Sequence, residues 1–136
     1  MSAPIPTIVL IVEDNKAFSK ALREFLALRF PQFEVHEART GGGALEKFTR
    51  LQPRLVLMDI QLPDMNGVEI TRRIKARTPE TVVIAMSMMA DTHIAEKAQS
   101  AGAAAFVDKN HLFRDLEPLI ARCIGTSATD SSPFNE

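Results

Sequence analysis

The chain reads as an α/β protein, and three observations carry that reading. Five short apolar runs recur along it: TIVLIV (7–12), FEVHEA (33–38), LVLMD (55–59), TVVIAMS (81–87) and AAFVD (104–108). Each is followed by a segment long enough for a helix, so strand and helix alternate five times. Taken together the runs are continuous rather than alternating in apolar character. Strands of that kind are covered on both faces, which a parallel sheet with crossover helices provides.

The elements follow in order. After the first run, Lys16–Arg29 predicts a helix with Phe18, Leu22, Phe25 and Leu26 on one stripe and Lys20, Arg23 and Glu24 largely elsewhere. These aromatics read as core. The second helix is expected over Gly43–Leu51. Gly41, Gly42 and Gly43 each cost about 1 kcal/mol against alanine in a helix, so its first turn should be late or mobile. LVLMD then runs into LPDMNG, a turn through Pro63, Asn66 and Gly67, and helix three is expected over Val68–Arg77. Its Arg72, Arg73, Lys75 and Arg77 read as a solvated face. A fourth helix is expected over Thr92–Ala101 and a fifth over Leu112–Ile124. The fifth contains Pro118, which costs about 3 kcal/mol inside a helix. Yet Leu112, Leu116, Leu119, Ile120, Cys123 and Ile124 keep helical spacing across it, which predicts a bent or two-part helix.

Bulk properties narrow the function classes. A chain of 136 residues is expected to form one domain, here 7–124, followed by a polar linker-like or disordered tail, GTSATDSSPFNE (125–136). With 46% hydrophobic and 24% charged residues the composition is that of a globular protein, and no stretch approaches the ~20 apolar residues of a membrane span. The start, MSAPIPT, lacks the features of a secretory signal, and the single Cys123 cannot form an internal disulfide. Both lead to the expectation of a cytoplasmic protein with no membrane partner, and Cys123 reads as core. A net charge of −1 offers no basic footprint for nucleic acid.

In an open parallel sheet, ligands sit beyond the carboxyl ends of the strands, so those ends are where chemistry is sought. Strand one ends in Glu13 and Asp14, strand three in Asp59, strand four in Ser87, and strand five in Asp108 followed by Lys109. Clustered carboxylates repel, and a hard divalent cation relieves the repulsion. His36, His93 and His111 are scattered, so the expected ion is Mg²⁺ rather than zinc.

Glu13-Asp14, Asp59 followed by LPDMNG, Ser87 and Lys109, in this order and spacing, resemble the receiver domain of two-component response regulators. The resemblance covers about residues 7–124. It implies a flavodoxin-like, five-stranded parallel sheet in the order 2-1-3-4-5 flanked by five helices, with Asp59 as phosphoacceptor. The implied donor is the phosphohistidine of a sensor histidine kinase or phosphotransfer protein, or a small acyl phosphate. Glu13, Asp14, Asp59 and the backbone carbonyl of Gln61 would hold Mg²⁺, while Ser87 and Lys109 would bind the phosphoryl group. Ser87 and the strand-five aromatic, Phe106, would form the switch. Such a protein is no enzyme beyond its own phosphoryl transfer and slow dephosphorylation.

Three departures from the family pattern bear on access and lifetime. Met88 stands where a small residue is usual, and it could restrict the way to Asp59. Asn110 stands where a proline after a cis bond is usual, which leaves that loop's geometry open; Asn110 could instead cap helix five. Gln61 and Met89 are the positions that would tune phosphoaspartate lifetime, expected to be intermediate to long, minutes or more, because Met89 cannot orient a hydrolytic water, although Gln61 could.

The resemblance leaves the output open. Without an output domain in these 136 residues, a switched surface on helix four, strand five and helix five would meet an unknown downstream partner. A monomer at rest is expected, with phosphorylation-linked dimerisation as an option. One alternative is the amino-terminal receiver of a longer DNA-binding transcription regulator, and another is a receiver-like binding module that is never phosphorylated. A phosphohydrolase using Asp59 is disfavoured by Gln61, where a second acid is common. Nucleotide binding through ARTGGGALE is disfavoured because the segment lacks the spacing of a phosphate-binding loop.

Overall fold

The computed structural model describes residues 6–89 and 91–125. Its elements are β1 (Thr7–Val12), α1 (Lys16–Arg29), β2 (Phe33–Ala38), α2 (Gly41–Leu51), β3 (Leu55–Asp59), α3 (Gly67–Arg77), β4 (Val82–Ser87), α4 (Thr92–Ser100), β5 (Ala105–Asp108) and α5 (Leu112–Ile124), with a single 3-10 turn, Lys109–His111, before α5. All neighbouring strands are parallel, in the order β2-β1-β3-β4-β5. The tail expected over 125–136 lies outside the described residues except for Gly125, the left-handed C-cap of α5. No helix among the described residues is long and apolar enough to cross a membrane.

The continuous apolar runs of β1, β3 and β4 are explained by burial on both faces, whereas the edge strand β2, FEVHEA, mixes apolar and polar residues and is mostly only partly buried. On one side Val9, Ile11, Leu55, Leu57, Ile84 and Met86 pack against Leu22 and Leu26 of α1 and Leu112, Leu116, Ile120 and Ile124 of α5. On the other, Leu10, Val12, Val56, Met58 and Val83 pack against Ala44 and Phe48 of α2 and Ile70 and Ile74 of α3. Residues of opposite parity therefore build opposite cores, as the two-residue strand period requires. A third cluster of Ile60, Val68, Ala85, Ala98, Ala101 and Ala103 lies beneath α4. Phe18, Phe25 and Cys123 are only partly buried at the edge of the first core.

Three expectations about helix ends are corrected. α2 does not start late: it begins at Gly41, because the N–H groups of Gly41 and Gly42 donate to the Asp64 carboxylate at 2.7 and 3.0 Å and that of Gly43 donates to Thr40 Oγ1 at 2.9 Å. Those acceptors offset the glycine penalty at the end of the helix where orphan donors lie. A larger residue at Gly41 would displace its neighbours, since a Cβ there would stand 2.8 Å from Ile70 Cδ1 and 2.9 Å from the Met65 side chain. α5 is not two-part: it continues through Pro118, whose side chain faces outward, because Leu112, Leu116, Ile120 and Ile124 bury one unbroken stripe. Asn110 does not cap α5; it sits in the preceding 3-10 turn, where its N–H and side-chain amide both donate to Asp108 Oδ1. The Lys109–Asn110 peptide is trans, as are all peptides among the described residues.

Candidate functional site

Sheet order is what assembles the site. With β1 and β3 adjacent and β4 and β5 following, the carboxyl ends of strands far apart in sequence meet at one edge. Asp59 closes β3 opposite Met86 of β4; Ser87, the next residue, stands opposite Asp108 of β5, and Lys109 follows it.

Asp59 is 3% exposed. Its Oδ1 accepts from the Gln61 N–H at 3.0 Å and its Oδ2 from Lys109 Nζ at 3.1 Å. Lys109 also stands 2.7 Å from Glu13 Oε1, in charge contact but off the line a hydrogen bond needs. Glu13 Oε2 accepts from the Asn15 N–H at 3.1 Å. Oε1 is thus a buried oxygen without a hydrogen-bond partner among the described residues, a state that ordinarily costs free energy.

The electrostatics follow from crowding. Burial, the largest influence, raises the Glu13 pKa above the usual carboxylate value; Lys109 opposes that rise and the Asp59 charge adds to it. Burial alone would lower the Lys109 pKa, but its contacts with Glu13 and Asp59 outweigh burial and raise it. The lysine is therefore a fixed ammonium. One ammonium still faces three carboxylates, since Glu13, Asp14 and Asp59 offer oxygens that all lie within 4.8 Å of one another. Glu13 and Asp59 are buried and Asp14 is exposed, so the cluster opens to solvent on one side. An all-oxygen donor set of three carboxylates facing a single ammonium fits a hard divalent cation.

The remaining expected residues take varied places. Ser87 is fully buried; its Oγ accepts from the Met89 N–H at 2.9 Å, which holds the hydroxyl back in its own loop. Phe106 is half-buried and packs on the cluster beneath α4. Met88 and Met89 are each 55% exposed, and the Gln61 side-chain amide donates to Met89 Sδ at 3.1 Å. Gln61 meets the site through its N–H and its amide is engaged with sulfur.

Sequence reasoning missed three contributors. Gly67, read only as a turn, lies against the end of β3: a Cβ there would stand 2.2 Å from the Asp59 carbonyl oxygen, so no larger residue fits. Asp64, unassigned from sequence, caps α2 across the loop. Phe18, read as core, has its ring centroid 4.7 Å from Lys109 Nζ. The only sequence signal for Phe18 was an aromatic one turn after the acidic pair, which a core stripe produces equally well.

Comparison with known proteins agrees with this geometry. The family model for the response regulator receiver domain matches residues 9–121. The regulatory protein AtoC of Escherichia coli is 32% identical over 116 residues, 85% of this chain and 25% of that protein. The transcriptional activator protein ExaE of Pseudomonas putida is 34% identical over 101 residues, 74% of this chain and 47% of that protein. This chain thus spans a quarter to about half the length of these curated relatives. Among solved structures, the signal receiver domain of a DNA-binding response regulator from Colwellia psychrerythraea aligns with a TM-score of 0.82 at 28% identity, covering 88% of this chain and 99% of that one. The BeF3-activated DrrB receiver domain aligns with a TM-score of 0.80 at 29% identity, covering 88% and 98%. With the sheet order, the strand-end residues and the family match in agreement, this chain belongs to the response regulator receiver domain family of two-component signal transduction.

Proposed function

We propose that the unit spanning residues 7–124 accepts a phosphoryl group on Asp59 from the phosphohistidine of a histidine kinase or phosphotransfer protein in the cytoplasm. One observation carries the reading: a buried Asp59 carboxylate at the end of the central strand is held by Lys109 at 3.1 Å beside Glu13 and Asp14. An Asp59 oxygen attacks phosphorus, the bond from phosphorus to the donor's nitrogen or oxygen breaks, and the donor leaves with that electron pair. Such transfers depend on positioning and charge neutralisation, not on a strong nucleophile. The Gln61 N–H fixes one Asp59 oxygen, and the Lys109 ammonium meets charge on the transferred group. Glu13, Asp14, Asp59 and the Gln61 carbonyl would hold Mg²⁺, which supplies further neutralisation of phosphoryl charge when bound.

The switch follows from differential contact. In the unphosphorylated site the Ser87 hydroxyl is occupied within its own loop. A phosphoryl oxygen on Asp59 competes for it and draws the β4–α4 loop inward. Phe106, half-buried, then changes its packing beside α4, and the surface of α4, β5 and α5 presented to a partner changes.

Intact mass after incubation with Mg²⁺ and a small acyl phosphate tests the reading. The wild type gains one phosphoryl adduct and Asp59→Ala gains none. An adduct that persists equally in the variant overturns the assignment.

A second reading concerns output. The names and greater length of relatives such as the transcriptional activator ExaE support a reading in which this receiver is the amino-terminal part of a longer transcription regulator. The length of the open reading frame decides between that arrangement and a stand-alone switch.

A further inference from the structure

We propose that Phe18 is a positioning residue for phosphoryl transfer: its ring is the seat that holds the Lys109 ammonium between Glu13 and Asp59. The inference rests on the phosphoacceptor reading of Asp59. Lysine carries its charge on a flexible stem whose ordering costs conformational entropy, so contacts with the ammonium alone leave the stem's path undetermined. Here the Lys109 side chain is only 8% exposed, with two carboxylates on one side and the Phe18 ring, 4.7 Å from Nζ to centroid, as a further wall. A π face returns to a desolvated cation part of what it loses in hydration, so the ring both fills space and attracts the charge.

The ring is itself fixed from behind. Asn15 caps α1 by accepting from the Phe18 N–H at 2.9 Å, which sets the position of this first-turn residue. Phe113 of α5 packs against Phe18 at 5.8 Å between centroids, and against Phe25 edge-on at 5.3 Å. A line of contacts therefore runs from Phe113, 42% exposed, through Phe18 to Lys109 and Asp59. Phe25 shares the aromatic wall, but its cation is Arg29, at 5.0 Å, not Lys109. It is the natural control.

The test compares wild type, Phe18→Leu, Phe18→Tyr and Phe25→Leu for phosphorylation rate with a small acyl phosphate. A second readout is the NMR shift of the Lys109 side-chain CH₂ groups, which a nearby ring moves. Phe18→Leu is expected to slow phosphorylation by about three- to tenfold, the scale of a cation–π contact at such a site, and to abolish the ring-induced shift. Phe18→Tyr, which keeps the π face, restores both, and Phe25→Leu changes neither. A wild-type rate in Phe18→Leu, an equal loss in Phe18→Tyr, or an equal loss in Phe25→Leu overturns the proposal. If Phe18→Leu does not fold, Phe18→Met replaces it. If the wild type takes no phosphoryl group, the function proposed above fails, and the Lys109 shift alone decides: no change on removing the ring overturns the seat.

Discussion

On the proposed function, the contact between Gln61 and Met89 would set the lifetime of the phosphoaspartate. Phosphoaspartate is lost when a water is oriented for attack on phosphorus, and the two side chains best placed to orient one are those flanking the acceptor. Met89 has no basic oxygen or nitrogen, and its sulfur accepts from the Gln61 side-chain amide nitrogen at 3.1 Å, which ties that side chain to Met89. A lifetime of minutes or more is expected. Met89→Glu introduces a carboxylate able to act as base and frees the amide, and loss of labelled phosphate should accelerate by about tenfold or more. An unchanged rate of loss would remove both residues from control of lifetime. Met88 is exposed beside them.

At the scale of elements, α2 depends on a residue from a different loop. Asp64 accepts from the N–H groups of Gly41 and Gly42, and these bonds hold its carboxyl below the usual carboxylate pKa. A depressed folded-state pKa contributes stability that is complete above the unfolded value, about 4 for aspartate, and is lost as pH falls through the folded value. Asp64→Ala should therefore unfold at lower temperature than wild type near pH 7. The gap should close on acidification, because the wild-type cap is protonated away. A gap independent of pH would mean that the carboxylate charge is not what caps the helix. The same bonds tie α2 to the β3–α3 loop, so the glycine-rich start of α2 is ordered from the side of the acceptor strand.

For the whole molecule, the sheet is a wall between two cores. Ile84 packs on the α1 and α5 side and Ile74 of α3 on the α2 side. Ile84→Val and Ile74→Val should each cost about 0.5–1.5 kcal/mol in unfolding free energy. With the sheet between them they share no cavity, so the double variant should equal the sum within about 0.5 kcal/mol in denaturant titrations. A larger departure would mean that the two layers relax together.

The amino-acid sequence by itself determined the alternation of strands and helices, because apolar period is a local property that the chain carries wherever it folds. It also placed Glu13, Asp14, Asp59, Ser87 and Lys109 at strand ends, since each lies within two residues of the last apolar residue of a run. The strand order came from the resemblance, because periodicity does not say which strands are neighbours. Only the tertiary structure decided what the ends do to one another: the contact of Lys109 with Glu13 and Asp59, the hold of Asp64 on α2, the close approach of Gly67 to the Asp59 carbonyl and the Phe18 ring beside the ammonium. The late start of α2 and the two-part form of α5 were misread for the same reason. Local propensity penalises glycine and proline by a fixed amount, whereas a cap 22 or 23 residues away and a buried stripe that spans the helix act through contacts no local window contains.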